Sequence, residues 1–192
     1  MIIIHFLTVE LVFTAIWLLV RIAVWIRNRR IDWKREAMLL LMYVNLAVII
    51  RYVIFPMEIV NKGVQPLFIM PEAVFPLRIN WIPFVNIMKY ETKSDMLLNT
   101  IGNVVLFIPT GIILPILYKR LNSFWKVTLT GFLISLSIEI LQLPLVSRLS
   151  DVDDLILNTL GVMIGFGVYA LVKRMTVNAP SATGSSPSPR GR

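Results

Sequence analysis

Residues 139 to 165 read Glu139-Ile-Leu-Gln142-Leu-Pro144-Leu-Val-Ser147-Arg148-Leu-Ser150-Asp151-Val-Asp153-Asp154-Leu-Ile-Leu-Asn158-Thr-Leu-Gly161-Val-Met-Ile-Gly165, and their pattern decides the fold. The run leaves one apolar helix, turns at Ser147 to Ser150, and enters a second. Glu139 and Gln142 stand three apart at the end of the first helix. Asp151, Asp154 and Asn158 recur at spacings of three and four at the start of the next. Residues at these spacings share a helix face, so antiparallel neighbours would bring both polar sets together on one side of a membrane. An ionisable group at membrane depth is expensive and normally faces a bundle interior or a water-filled cavity, which marks the turn as a candidate site. The competing reading is that these groups only hydrogen-bond helices to one another.

Working outward, 57% of the 192 residues are hydrophobic, 16% are charged, and the mean hydropathy is +0.76. Apolar runs of about 20 residues are what a helix needs to cross a bilayer core. The predicted fold class is therefore all-α, a polytopic transmembrane bundle of about five spans with an outer amphipathic or re-entrant segment. Cysteine is absent and His5 is the one histidine. That composition excludes disulfides, thiolate metal sites, cysteine nucleophiles, a histidine metal cluster and a convincing Ser-His-Asp triad. A net charge of +8 would suggest nucleic acid in a soluble chain. Here the basic residues adjoin apolar spans, where anionic headgroups and the positive-inside bias account for them, so no nucleic-acid role follows.

The first span is expected over Ile2 to Ile26, followed directly by Arg27, Arg29, Arg30, Lys34 and Arg35. With no basic residue before it and no Ala-x-Ala cleavage pattern after it, it reads as an uncleaved anchor with its N-terminus outside. Glu10 would lie about 13 Å along such a helix, needing a partner there, or reaching the outer interface if the helix sits higher. Ala37 to Phe55 returns outward and Pro56 ends it. Arg51, near that end, either snorkels to headgroups or pairs with Glu10 or Glu139. Met57 to Ser94 is long and apolar, and Pro66, Pro71, Pro76 and Pro83 break any continuous helix, so it reads as an interfacial cap or re-entrant loop. Within it, Arg78-Ile-Asn80-Trp81-Ile-Pro83-Phe84-Val-Asn86 sets a cation and two amides among aromatics suited to headgroup depth.

Ser94 reads as the N-cap of a third span, Asp95 to Tyr118, with Asn99, Asn103 and Thr110 on one face and a kink at Pro109. Trp125 to Val146 is the fourth span. The fifth runs to Val172, with Ser150 and Asp153 resembling a capping box. Gly161, Gly165 and Gly167 give it a smooth face for close packing. Basic residues at Lys119, Arg120, Lys126, Lys173 and Arg174 fall at the same ends as the Arg27 to Arg35 cluster, whereas the turn between spans four and five has only Arg148. The count predicts N-terminus out and C-terminus cytoplasmic. The domain division is 1–36 as N-terminal anchor and basic loop, 37–174 as membrane domain, and 175–192 as a disordered Ser/Pro/Gly-rich tail.

Three runs together, Asn80-Trp81-Ile-Pro83-Phe84, Asn99-Thr-Ile-Gly-Asn103-Val-Val-Leu-Phe107-Ile-Pro109-Thr-Gly111, and Glu139-x-x-Gln142 through Arg148, Asp151-x-x-Asp154-x-x-x-Asn158-x-x-Gly161-x-x-x-Gly165, resemble the VanZ-like family of bacterial membrane proteins. The resemblance covers roughly Arg51 to Tyr169, leaving Glu10 and the tail outside it. It implies a cell-envelope protein of a family named for low-level teicoplanin resistance, and supplies no molecular action.

Read physically, the candidate site gathers the acids Glu139, Asp151 and Asp154 as candidate catalytic groups. Asn80, Asn99, Asn103, Gln142 and Asn158, with the cations Arg51, Arg78 and Arg148, are candidate binding groups. Arginine suits bidentate phosphate or carboxylate binding, and paired carboxylates suit acid-base work or a hard cation. The expected partners are membrane lipids and a glycopeptide or lipid-linked cell-wall intermediate. A hydrolase or transferase acting on such a lipid and a non-catalytic structural or binding protein both stay open, because no residue declares itself a nucleophile and the residues specify neither metal nor cofactor. Transport is disfavoured, since Leu114 to Leu117 and Val127 to Phe132 offer little polar path to the inner side.

Overall fold

Among the described residues five helices are long and apolar enough to cross a membrane, α2 together with the turn that extends it: α1 (Phe6–Asn28), α2 (Trp33–Ile49), α3 (Lys93–Leu117), α4 (Phe124–Gln142) and α5 (Val152–Val177). The structure is a computed structural model that describes residues 2–55, 59–60, 63–70, 79–85, 88, 92–146 and 149–177. This is an all-α, multi-pass membrane bundle. A π-helical turn, Ile50–Ile54, extends α2, so its apolar length runs Trp33–Ile54.

Small residues decide how close the central helices come. A side chain on Gly161 would run into the Val104 carbonyl of α3, one on Gly165 into the Ile108 carbonyl, and one on Gly111 of α3 into the Val162 carbonyl of α5. The α3 and α5 backbones therefore touch, and Gly131 of α4 receives the Val162 side chain. Dispersion and close packing replace the hydrophobic effect between helices in lipid, which is why this contact needs glycine. Gly167 departs from the expectation: nothing lies within 4 Å of the position its Cβ would take, so it is no part of the packed face. Around this pair Ile49, Val53, Phe107, Leu114, Val127, Ile138 and Val162 form the apolar core. Asn45 ties α2 to α3, donating to the Leu106 carbonyl at 2.8 Å and accepting from the Thr110 hydroxyl at 2.6 Å.

α1 is largely exposed and leans on α2. Phe13 stacks on Tyr43, the Thr14 and Tyr43 hydroxyls are 2.7 Å apart, and Arg21 pairs with Glu36. The helix starts at Phe6 rather than Ile2, because the β-branched run Ile2–Ile4 forms a strand, β1. Glu10 therefore falls in the second turn of the helix and less deep than a helix from Met1 would place it; its Oε1 is buried with no hydrogen-bond partner among the described residues.

Where the sequence suggested an interfacial or re-entrant segment after α2, the described residues form short paired strands. β1 runs antiparallel to β4 (Leu67–Ile69), β2 (Ile59–Val60) antiparallel to β3 (Gly63–Val64), and β5 (Ile79–Asn80) parallel to β6 (Ser150–Asp151). Phe55, Leu67 and Leu145 make a second apolar cluster beneath them. Bonds from Met70 N–H to the Pro144 carbonyl, 3.1 Å, and from Val146 N–H to the Phe68 carbonyl, 3.0 Å, join this cap to the α4–α5 turn. That pairing ends α4 at Gln142, short of the expected Val146. At the opposite end the α1–α2 turn, a 3-10 turn at Lys119–Leu121 and the end of α5 come together, with the Tyr169 hydroxyl donating to Asn122 at 3.3 Å.

Two helix starts differ from expectation. Thr92, not Ser94, caps α3: its hydroxyl accepts from Asp95 N–H at 3.1 Å and donates to the Asp95 carboxylate at 2.7 Å. At α5 the capping bond comes from Asp151, whose Oδ1 accepts from Asp153 N–H at 3.0 Å, while Ser150 points back to α4. The expected tail, 175–192, begins in helix, at Met175 to Val177, and its remainder lies outside the described residues.

Candidate functional site

The last turn of α4 meets the first turn of α5 beneath β5 and β6. Glu139 is 4% exposed, and its Oε2 accepts two hydrogen bonds at 2.9 Å, from the Ser150 hydroxyl and from Asp151 N–H. Its Oε1 is buried with no hydrogen-bond partner among the described residues. A buried carboxylate oxygen without a hydrogen bond carries the desolvation penalty of the group uncompensated. Asp151 links this acid to the cap, with its Oδ1 accepting from the Asn80 amide at 3.0 Å across the β5–β6 pair. Asp153 is 3% exposed and takes Phe84 N–H on Oδ1 at 2.7 Å, leaving Oδ2 without a partner among the described residues. Phe84 has a φ of 66°, a left-handed conformation that a bulky residue adopts at a cost. The bond to Asp153 helps hold it there.

Asp154, on the next position of α5, faces α3 and accepts from the Asn103 amide at 2.5 Å. Its carboxyl and that of Asp151 both lie within Coulombic reach of Glu139. Two polar bonds extend the cluster into the bundle: Gln142 donates to the Val53 carbonyl at 2.8 Å, and Asn158 donates to the Ser135 hydroxyl at 3.0 Å. Both amide oxygens, Gln142 Oε1 and Asn158 Oδ1, are buried without a partner among the described residues.

Glu139, Ser150 and Asp151 also line a cleft of about 170 Å³, whose other walls include Ile79, Trp81 and Leu155. A second groove of about 280 Å³ holds Asn99 and Asn103 beside Tyr52. Arg51 lies over the rings of Tyr52 and Phe6, its guanidinium carbon 5.2 and 5.7 Å from their centroids. Of the expected site residues, Glu139, Asp151 and Asn80 form one network at the start of α5 and Asp154 and Asn103 another, whereas Asn99 lies in the second groove and Arg51 over its two rings. Arg78, Arg148 and Asn86 lie outside the described residues. Among the described residues, no group of three or more His, Asp or Glu side chains is placed to hold a metal ion.

The family model described as VanZ/LLP1 matches residues 38–173, which takes in most of α2 and α5, all of α3 and α4, and every group of this cluster. The chain belongs to the VanZ/LLP1 family. It is similar to Protein VanZ of Enterococcus faecium, with 26% identity over 123 residues that make up 59% of this chain and 76% of that protein. No solved structure matches the chain. In this VanZ-like membrane protein the residues that sequence reasoning missed are Ser135, Ser150 and Asp153. Ser135 precedes Glu139 by four and so shares its face, a signal that was readable. Ser150 and Asp153 carried a local capping pattern that hid their partners, Glu139 and Phe84, which are distant in sequence.

Proposed function

We propose that this VanZ-like protein acts at the outer face of the cell membrane, engaging a lipid or lipid-linked cell-wall intermediate at the strand-capped end of the bundle. The observation that carries this reading is Glu139. A carboxyl with one oxygen fixed and the other without a partner among the described residues, in the wall of an apolar cleft, suits a headgroup hydroxyl or ammonium while Ile79, Trp81 and Leu155 face an acyl chain. Arg51, at the same end, suits the phosphate that such a lipid carries. The nearness of Asp154 to Glu139 favours a second reading, in which the two carboxyls exchange a proton with that lipid as a hydrolase or transferase.

The experiment fills the cleft. Leu155→Trp places an indole where an acyl chain would lie, and in a host that gains glycopeptide (teicoplanin) tolerance from the wild-type chain it is expected to abolish the gain, with membrane levels and thermal stability kept. Tolerance retained in full by a folded Leu155→Trp chain would remove the cleft from the function. Orientation is tested separately in the cysteine-free chain. A cysteine at the exposed Leu149 is expected to react with an impermeant thiol reagent in intact cells, and one at the exposed Asn122 only after permeabilisation. The reverse pattern would move the site to the cytoplasmic face.

A further inference from the structure

At the end of the bundle opposite the acids, the α1–α2 turn and the α3–α4 turn enclose a groove of about 530 Å³. Four cations reach it, Lys34 and Arg35 from the start of α2 and Lys119 and Arg120 from the 3-10 turn, against one acid, Asp32. All four are exposed, and none makes an ion pair among the described residues. Asp32 is already engaged, accepting from Arg35 N–H at 3.2 Å as the cap of α2. The other nearby acid, Glu36, is taken by Arg21 of α1. Among the described residues the groove therefore carries four cations against the single acid Asp32, and neither Asp32 nor Glu36 forms an ion pair with any of the four. Beneath it the groove is floored by Met38, Leu117 and Tyr118, and Ile116 on its flank is 45% exposed on the outside of α3.

We propose that this groove is a binding site for an anionic phospholipid, the phosphate held by Lys34, Arg35, Lys119 and Arg120 and the upper acyl chains laid on the Met38, Leu117 and Tyr118 floor. Charge complementarity selects the headgroup, since each cation near a membrane surface favours an anionic lipid. Two guanidiniums can bind phosphate oxygens bidentately, which a diffuse surface field cannot do. The apolar floor selects a lipid over a soluble phosphate. Joining the two turns through one ligand would brace α2 against α3 at the end where Asn45 and Thr110 do not reach.

The test uses the purified full-length chain in zwitterionic detergent-lipid micelles, with phosphatidylglycerol or phosphatidylcholine added and thermal unfolding and retained lipid measured. Phosphatidylglycerol is expected to raise the unfolding temperature and to be retained, and phosphatidylcholine to do neither. Lys119→Gln with Arg120→Gln is expected to lower phosphatidylglycerol retention about 25-fold, about fivefold for each cation removed. Lys173→Gln with Arg174→Gln, which removes the same charge from the same end outside the groove, is expected to leave it within about twofold. Equal losses in the two double variants would overturn the groove in favour of a diffuse surface field. Glycerol phosphate matching the stabilisation by phosphatidylglycerol would overturn the lipid as occupant.

Discussion

Gly165→Leu is expected to cost the bundle about 3 kcal/mol, at the upper end of overpacking substitutions, and to lower its unfolding temperature in detergent by many degrees. The site explains the size of the effect. Any Cβ on Gly165 meets the Ile108 carbonyl and the Gly111 Cα of α3, so the new side chain abuts backbone, not a flexible side chain that could turn aside. The two helices must separate, and separation also opens the Gly161 and Gly111 contacts and loosens the Asn103 to Asp154 bond. Gly167→Leu supplies the control, because the same added volume two residues away meets nothing within 4 Å and is expected to leave stability unchanged. Thermal unfolding followed by circular dichroism or by size-exclusion chromatography reads both. Equal unfolding temperatures for the two variants would mean that α3 and α5 do not pack through glycine.

What was legible in the sequence follows the reach of each signal. Span number and order were readable because twenty apolar residues leave a chain few alternatives to a helix. The Gly161 and Gly165 spacing identified the packed face of α5, whereas Gly167 misled because its neighbours three and four positions away do not decide which helix, if any, lies opposite. The strand cap was not legible. Ile2–Ile4 continues an apolar run without a break, and only its partner Leu67–Ile69, more than sixty positions later, makes it a strand. For the site, the spacing of Glu139, Gln142, Asp151, Asp154 and Asn158 anticipated that polar groups gather where the end of α4 meets the start of α5. It could not show that Glu139 turns to the backbone of Asp151, or that Asp154 turns away to Asn103, because those directions depend on the rotation of α4 and α3 about their axes.

Glu139→Gln separates a site from helix glue more cleanly than any other change in this cluster. A glutamine oxygen can accept from Ser150 and Asp151 N–H as Oε2 does, so both structural bonds survive, and the amide nitrogen falls where Oε1 has no partner among the described residues. Fold and stability are therefore expected to hold. The change removes the Oε1 acceptor and the charge, and a headgroup donor bonded to a carboxylate is worth about 1.5 to 3 kcal/mol, which sets a loss of at least about tenfold in lipid affinity. The decisive measurement is mass-spectrometric identification of the lipids that co-purify with the wild-type and Glu139→Gln chains. The account predicts a lipid species held by the wild type, reduced at least about tenfold in Glu139→Gln at equal thermal stability, and untouched by Lys119→Gln with Arg120→Gln. An identical lipid complement in the wild type and a stably folded Glu139→Gln chain would contradict it and leave Glu139 as a bond between α4 and the start of α5.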